Sequence, residues 1–213
     1  MLSSLGKEKL RIMFTSTQPS EGKTSLAIST AAAFGQIKKT LLIDGDLRRP
    51  SVLGAISEDQ KARSMGISDL CVGVAEDDDC IHHVEKFGID VLTSGTLAPN
   101  PQELFCSADF TLLLNRLSEK YDVIVIDSPP CGGLSDSHLL ASQVDDLVYV
   151  VKAGSTPVNR IRSTIQSLQQ INAPIKGIVL NQADTSIAGY EYGYYGAYYG
   201  ACLLYTSPSP RDA

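Results

Sequence analysis

The chain has 213 residues, 43% hydrophobic and 20% charged, enough for one sizeable core and unlike a disordered or fibrous composition. Its formal net charge of -6 argues against a nucleic-acid partner, since that kind of surface needs clustered Lys and Arg. The longest apolar runs, 123–126 and 147–151, are far short of the ~20 residues of a membrane span, and the start lacks the apolar segment of a secretory signal, so a cytoplasmic chain is expected.

Short β-rich runs alternate with stretches of helical periodicity. Strands are expected at 10–15, 40–43, 89–92, 123–126, 146–151 and 177–180, and the clearest helices at 23–36, 101–120 and 158–171. That alternation predicts an α/β fold, a doubly wound, mostly parallel sheet flanked by helices. Ligands of such sheets sit beyond the carboxyl ends of the strands.

Directly after the first strand comes TQPSEGKT at 17–24, which fits G-x-x-x-x-G-K-[ST] except that Thr17 replaces the first glycine. A tight loop of this kind turns successive backbone N–H groups towards phosphate oxygens, and the N-terminus of the following helix adds positive potential. Gln18, Ser20, Glu21, Gly22, Lys23, Thr24 and Ser25 are thus the candidate nucleotide-binding residues. Gly22 permits close backbone approach, Lys23 would bridge the β- and γ-phosphates, and the Thr24 hydroxyl is a candidate Mg2+ ligand.

The second strand runs out into LLIDGDLRRP at 41–50, placing Asp44 and Asp46 two residues apart as the chain leaves the sheet. Between this strand and the third, Asp77, Asp78 and Asp79 with His82 and His83 are residue types that can ligate a metal. The acids are read instead as preceding a short helix and suiting its N-terminal dipole, on a solvated face. Five cysteines at 71, 80, 106, 131 and 202 show no C-x-x-C pairing, so no metal or disulfide framework is expected.

The fourth expected strand ends in VIVIDSPP at 123–130, delivering Asp127 to the sheet edge as an acid that holds Mg2+ or its water does. Each acid alone could be an ordinary turn residue; three motifs in this order, each at a strand end, point to phosphate chemistry. His138, beside a helix start, is read as structural. Asn181 ends the last strand, and beyond it Tyr190, Tyr192, Tyr194, Tyr195, Tyr198 and Tyr199 gather six of the nine tyrosines into ten Gly-spaced residues. From 201 onwards that pattern stops, and 202–212 resembles the conceptual translation of a transposon-end adapter from sequencing-library preparation. A disordered native tail is the alternative.

Together the loop, the D-x-D-x-R run at 44–48 and the D-x-P-P run at 127–130 resemble the bacterial tyrosine kinases that regulate capsule and exopolysaccharide synthesis. The similarity runs from Arg11 to Asn181 and takes in GISDL at 66–70, SG at 94–95, PNPQEL at 99–104 and SD at 135–136. It implies a P-loop NTPase fold of the deviant Walker type with ATP and Mg2+ as cofactors, bound by Lys23 and Thr24. Asp44 and Asp127 would organise the metal shell, and Asp46 would orient or deprotonate the attacking tyrosine. Arg48 matches the arginine of the second motif and joins Lys23 and Asp46 as a catalytic candidate. Asn181 falls where related ATPases recognise adenine, although a strand-capping turn explains it equally well.

The resemblance also implies that the tyrosine cluster is the autophosphorylation target, reached between molecules. It implies a transmembrane activator of polysaccharide export as partner, polysaccharide-synthesis enzymes as substrates, and a place at the inner face of the plasma membrane. The expected organisation is one kinase domain at 1–189, a tyrosine-rich tail at 190–200 and a foreign extension at 201–213. Members usually carry an E-x-x-R-x-x-R helix ahead of the first strand, where only residues 1–9 stand here; a chain truncated at both ends and a late start both fit, and the ring oligomer that the resemblance implies would lack that helix. Two other functions share the motifs. Partition and septum-placement ATPases have a signature lysine where Gln18 stands, and an inactive adaptor phosphorylated by a complete kinase would not need an intact loop and three acids.

Overall fold

The computed structural model describes residues 9–56, 65–96, 98, 100–133 and 135–183. Met1–Gln182 forms one compact unit and Ala183–Ala213 a second, in which only Ala183 is described. The six clustered tyrosines, the 201–213 segment and residues 1–8 lie outside the described residues.

Among the described residues seven strands make one sheet: β1 (Leu10–Ser16), β2 (Thr40–Asp44), β3 (Ile81–Val84), β4 (Ile89–Leu92), β5 (Val123–Asp127), β6 (Asp146–Lys152) and β7 (Ile175–Asn181). Their order is β3-β4-β2-β5-β1-β6-β7, and every pairing is parallel except β3 with β4. The central strands β2 and β5 are buried along their whole length, which is why they read as unbroken apolar runs rather than alternating ones. β7 is the exposed edge, with Ile178 56% and Leu180 62% accessible.

Among the described residues eight helices cover the sheet: α1 (Lys23–Gly35), α2 (Val52–Ile56), α3 (Ile67–Cys71), α4 (Asp77–Cys80), α5 (Pro101–Cys106), α6 (Ala108–Lys120), α7 (Asp136–Ala141) and α8 (Val158–Gln170). On one face, Ala27, Ile28 and Ala31 of α1 pack on Phe14, Val125 and Val150. On the other, Phe105, Phe110, Leu114, Leu140 and Leu168 from α5 to α8 pack on Met13, Ile126 and Tyr149. Alternate residues of each strand thus feed two cores, as a doubly wound sheet requires. None of the described helices is long and apolar enough to cross a membrane.

Three expectations are corrected. The 101–120 helix is broken at Ser107, whose extended backbone (φ -70, ψ 151) ends α5 while its hydroxyl accepts the Phe110 N–H and so caps α6. Residues 77–80 are themselves the short helix; Asp78 and Asp79 are exposed as expected, whereas Asp77 is largely covered and pairs with Arg116 and Lys120 of α6. His82 and His83 lie on β3, an edge strand folded back on β4 through a turn with Gly88 at φ 62, and His83 Nδ1 pairs with Asp90 Oδ1 at 2.7 Å. The Asp127 strand is therefore fifth, not fourth.

Candidate active site

β1 ends by turning into a loop held from every side. The Thr17 hydroxyl bonds to the buried Tyr149 hydroxyl, and the Thr17 carbonyl accepts the Gly132 N–H at 3.0 Å. A side chain larger than glycine is thus accommodated at the first loop position because it is turned away into the core. Glu21, only 1% exposed, points beneath the loop: its carboxylate accepts the N–H groups of Gln18 (2.6 Å) and Lys152 (3.2 Å) and the Thr156 hydroxyl. Asn181 Nδ2 donates to the Glu21 carbonyl at 3.0 Å, joining the end of β7 to the loop. Gly22 caps α1 at φ 90, a left-handed conformation in which an added Cβ would fall 2.0 Å from Asn181 Nδ2.

Parallel pairing of β2 with β5 sets Asp44 directly beside Asp127 in register. Both are buried, at 1% and 0% exposure. Thr24 Oγ1 donates to Asp127 Oδ2 at 2.6 Å and lies 3.1 Å from Ser51 Oγ. The Lys23 ammonium stands between two acids, 3.5 Å from Asp127 Oδ1 and 3.8 Å from Asp46 Oδ2. Asp44 Oδ2 accepts the N–H groups of Ser51 (3.0 Å) and Val52 (2.9 Å) at the start of α2, while Oδ1 accepts that of Asp46 at 3.3 Å.

Burial, reinforced by the neighbouring charge of Asp127, pushes the Asp44 carboxyl up to about 7. Asp127 is also raised, chiefly by burial, against the opposing pull of Lys23 and Thr24. Two stacked carboxylates and two hydroxyls form the hard oxygen set that Mg2+ prefers. Among the described residues no group of three or more His, Cys, Asp or Glu is placed to hold a metal ion by itself.

Above these groups opens a cleft of about 710 Å³, within the range that holds a nucleotide-sized ligand. Ser20, Gly22, Lys23, Thr24 and Ser25 of the loop and the start of α1 line it together with Asp46, Arg48, Arg49, Ser51, Pro129, Pro130 and Gln182. Gln18, Glu21 and Asn181 do not line the cleft. Sequence reasoning missed Ser51 and Gln182, and assigned no role to Tyr149 or Asp136. The signal for Ser51 was its place seven residues after Asp44, where a strand-end acid can cap the next helix. His138 bonds Ser167 of α8 at 3.0 Å, away from these groups.

A glycine-bearing loop between a central parallel strand and a helix, with paired acids on the adjoining strand ends, defines a P-loop nucleotide-binding domain. The family described as AAA domain matches residues 11–179. The tyrosine-protein kinase YwqD of Bacillus subtilis is 31% identical over 195 residues, covering 91% of this chain and 81% of that protein. The tyrosine-protein kinase CpsD of Streptococcus pneumoniae serotype 4 is 33% identical over 193 residues, covering 87% and 82%. Among solved structures, the VpsO kinase domain superposes with a TM-score of 0.80 at 37% identity, covering 86% of this chain and 89% of its own. The septum site-determining protein MinD of Pyrococcus horikoshii, complexed with Mg-ADP, reaches a TM-score of 0.66 at 20% identity over 81% and 70%, a likeness of fold alone. The chain belongs to the bacterial tyrosine-protein kinase family.

Proposed function

We propose that the chain is an ATP- and Mg2+-dependent protein tyrosine kinase whose acceptors include Tyr190, Tyr192, Tyr194, Tyr195, Tyr198 and Tyr199 of a second copy. The observation that carries this reading is the placement of the Lys23 ammonium within 4 Å of both Asp46 and Asp127, at the base of a cleft walled by the loop. Loop amides and Lys23 bind the triphosphate. Thr24 and Asp127, with Asp44 behind them and Ser51 beside them, would hold Mg2+, which when bound neutralises charge on the β- and γ-oxygens. The acceptor phenol forms the new O–P bond as the β,γ-bridging O–P bond breaks. Asp46 takes the phenolic proton and ADP leaves.

The names of the relatives support tyrosine as the acceptor class. The motif resemblance supports a role in capsular or exopolysaccharide synthesis, with a transmembrane activator and polysaccharide-synthesis enzymes as partners at the inner face of the plasma membrane, and a domain ending near 189 ahead of the tail. The test is phosphotyrosine detection on the purified chain with and without ATP and Mg2+, alongside Lys23→Met. Removing one charged contact that tightens in the transition state costs about a hundred- to thousandfold in rate. Undiminished phosphotyrosine in Lys23→Met would refute the assignment.

A further inference from the structure

Arg48 leaves the second motif at the wall of the cleft, and its guanidinium is clamped. Nε donates to Asp136 Oδ2 at 2.6 Å and Nη2 to Oδ1 at 3.2 Å, a two-point fork that fixes the plane of the group as a single contact would not. The partners differ in exposure: the Asp136 side chain is 1% accessible and that of Arg48 38%. The anchor is therefore interior and the held group faces the cleft.

The anchor is also built into the third motif. Asp136 opens α7, and the next residue, Ser137, donates through its hydroxyl to the Pro129 carbonyl, which also accepts the Thr15 hydroxyl at 3.0 Å. The stretch running from Asp127 to α7 thus carries a metal-site acid at one end and the Arg48 clamp at the other. Two hydrogen bonds to Asp136 leave other guanidinium N–H groups for a ligand. Arg48 lies two residues beyond Asp46, which itself approaches the Lys23 ammonium.

We propose that Asp136 is a positioning residue that holds Arg48 against the γ-phosphate of the bound nucleotide, so that the clamp makes the site discriminate triphosphate from diphosphate. The proposal rests on the cleft's being a nucleotide site and does not require that the phosphate goes to tyrosine. The test compares Mg·ADP with a non-hydrolysable Mg·ATP analogue on the full chain, for the parent, Asp136→Asn, Arg48→Gln and the double variant. A lost hydrogen bond to a charged group should lower the preference for the triphosphate about tenfold or more in each single variant. Mg·ADP affinity should hold, and the double variant should fall no further than either single one.

A purely structural role would lower both affinities together or leave their ratio intact, and either result would overturn the proposal. So would additive losses in the double variant. Should Asp136→Asn fail to fold, Arg48→Lys keeps the charge and Asp136 but not the fork; an unchanged ratio there refutes the clamp equally. Failure of the kinase reading looks different: no phosphotyrosine from a parent chain that still prefers the triphosphate.

Discussion

Gly22→Ala tests whether the loop geometry is as tightly determined as its contacts imply. The backbone at Gly22 has φ 90, and the new methyl carbon would stand 2.0 Å from Asn181 Nδ2 and 3.3 Å from its Cγ. Holding an alanine left-handed costs about 1–2 kcal/mol. Moving Asn181 aside also breaks its 3.0 Å bond to the Glu21 carbonyl, worth about 1 kcal/mol. The sum, about 2–3 kcal/mol, corresponds to a fall in Tm of roughly 5–10 °C for a domain of this size.

Asn181→Ala alone should lose only the hydrogen-bond part, about 1 kcal/mol. It also removes the obstacle, so adding Gly22→Ala to it should bring back the backbone part and no more, leaving a coupling of about 1 kcal/mol between the two sites. Thermal unfolding of the four proteins without nucleotide reads the cycle directly. Strict additivity, or a Gly22→Ala variant as stable as the parent, would refute the close packing of Asn181 on the loop.

Three further outcomes are expected. Asp46→Asn should keep Mg·ATP affinity better than Asp44→Asn yet lose phosphate transfer, because Asp46 faces Lys23 in the cleft while Asp44 stands with Asp127; equal losses of affinity in a nucleotide titration would move Asp46 into the metal shell. Native Asp44 keeps its proton to about pH 7 against an ordinary 3.8, so stability held below that ordinary value is lost as pH rises towards 7. In EDTA the Tm of Asp44→Asn minus that of the parent should accordingly climb across that window, and a flat difference would contradict it. In a mixture of active chains lacking residues 190–213 with full-length Lys23→Met, mass spectrometry should find phosphate on the 190–199 tyrosines of the inactive chain and little on Tyr205; an unlabelled partner would exclude transfer between molecules.

What was legible in the amino-acid order follows from range. Buried parallel strands such as β2 and β5 announce themselves as apolar runs, and the acids ending them mark the sheet edge, so Asp44 and Asp127 could be placed from local pattern. Their contact across the β2–β5 register needs strand order, which no local pattern contains. β3 was missed because an edge strand with His82 half-buried and His83 exposed lacks the apolar run of its neighbours. The Ser107 break hid inside a continuous helical periodicity, since its hydroxyl caps α6 without disturbing the spacing of Phe105 and Phe110. Pairs such as Arg48 with Asp136 and Thr17 with Tyr149, 88 and 132 positions apart, exist only once the chain has folded.

Glu21 bears on how a nucleotide would be captured. With its carboxylate bonded to Gln18, Lys152 and Thr156, the loop is braced from beneath by groups from β6 and the turn after it, and its curvature is set during folding rather than at the moment of encounter. Ordering entropy is then spent before any anion arrives, and association should follow ionic strength and charge more than loop motion. One amide, that of Gln18, is already committed inward. The arriving phosphates would meet a smaller number of donors already aimed, a rigid socket in place of a closing hand.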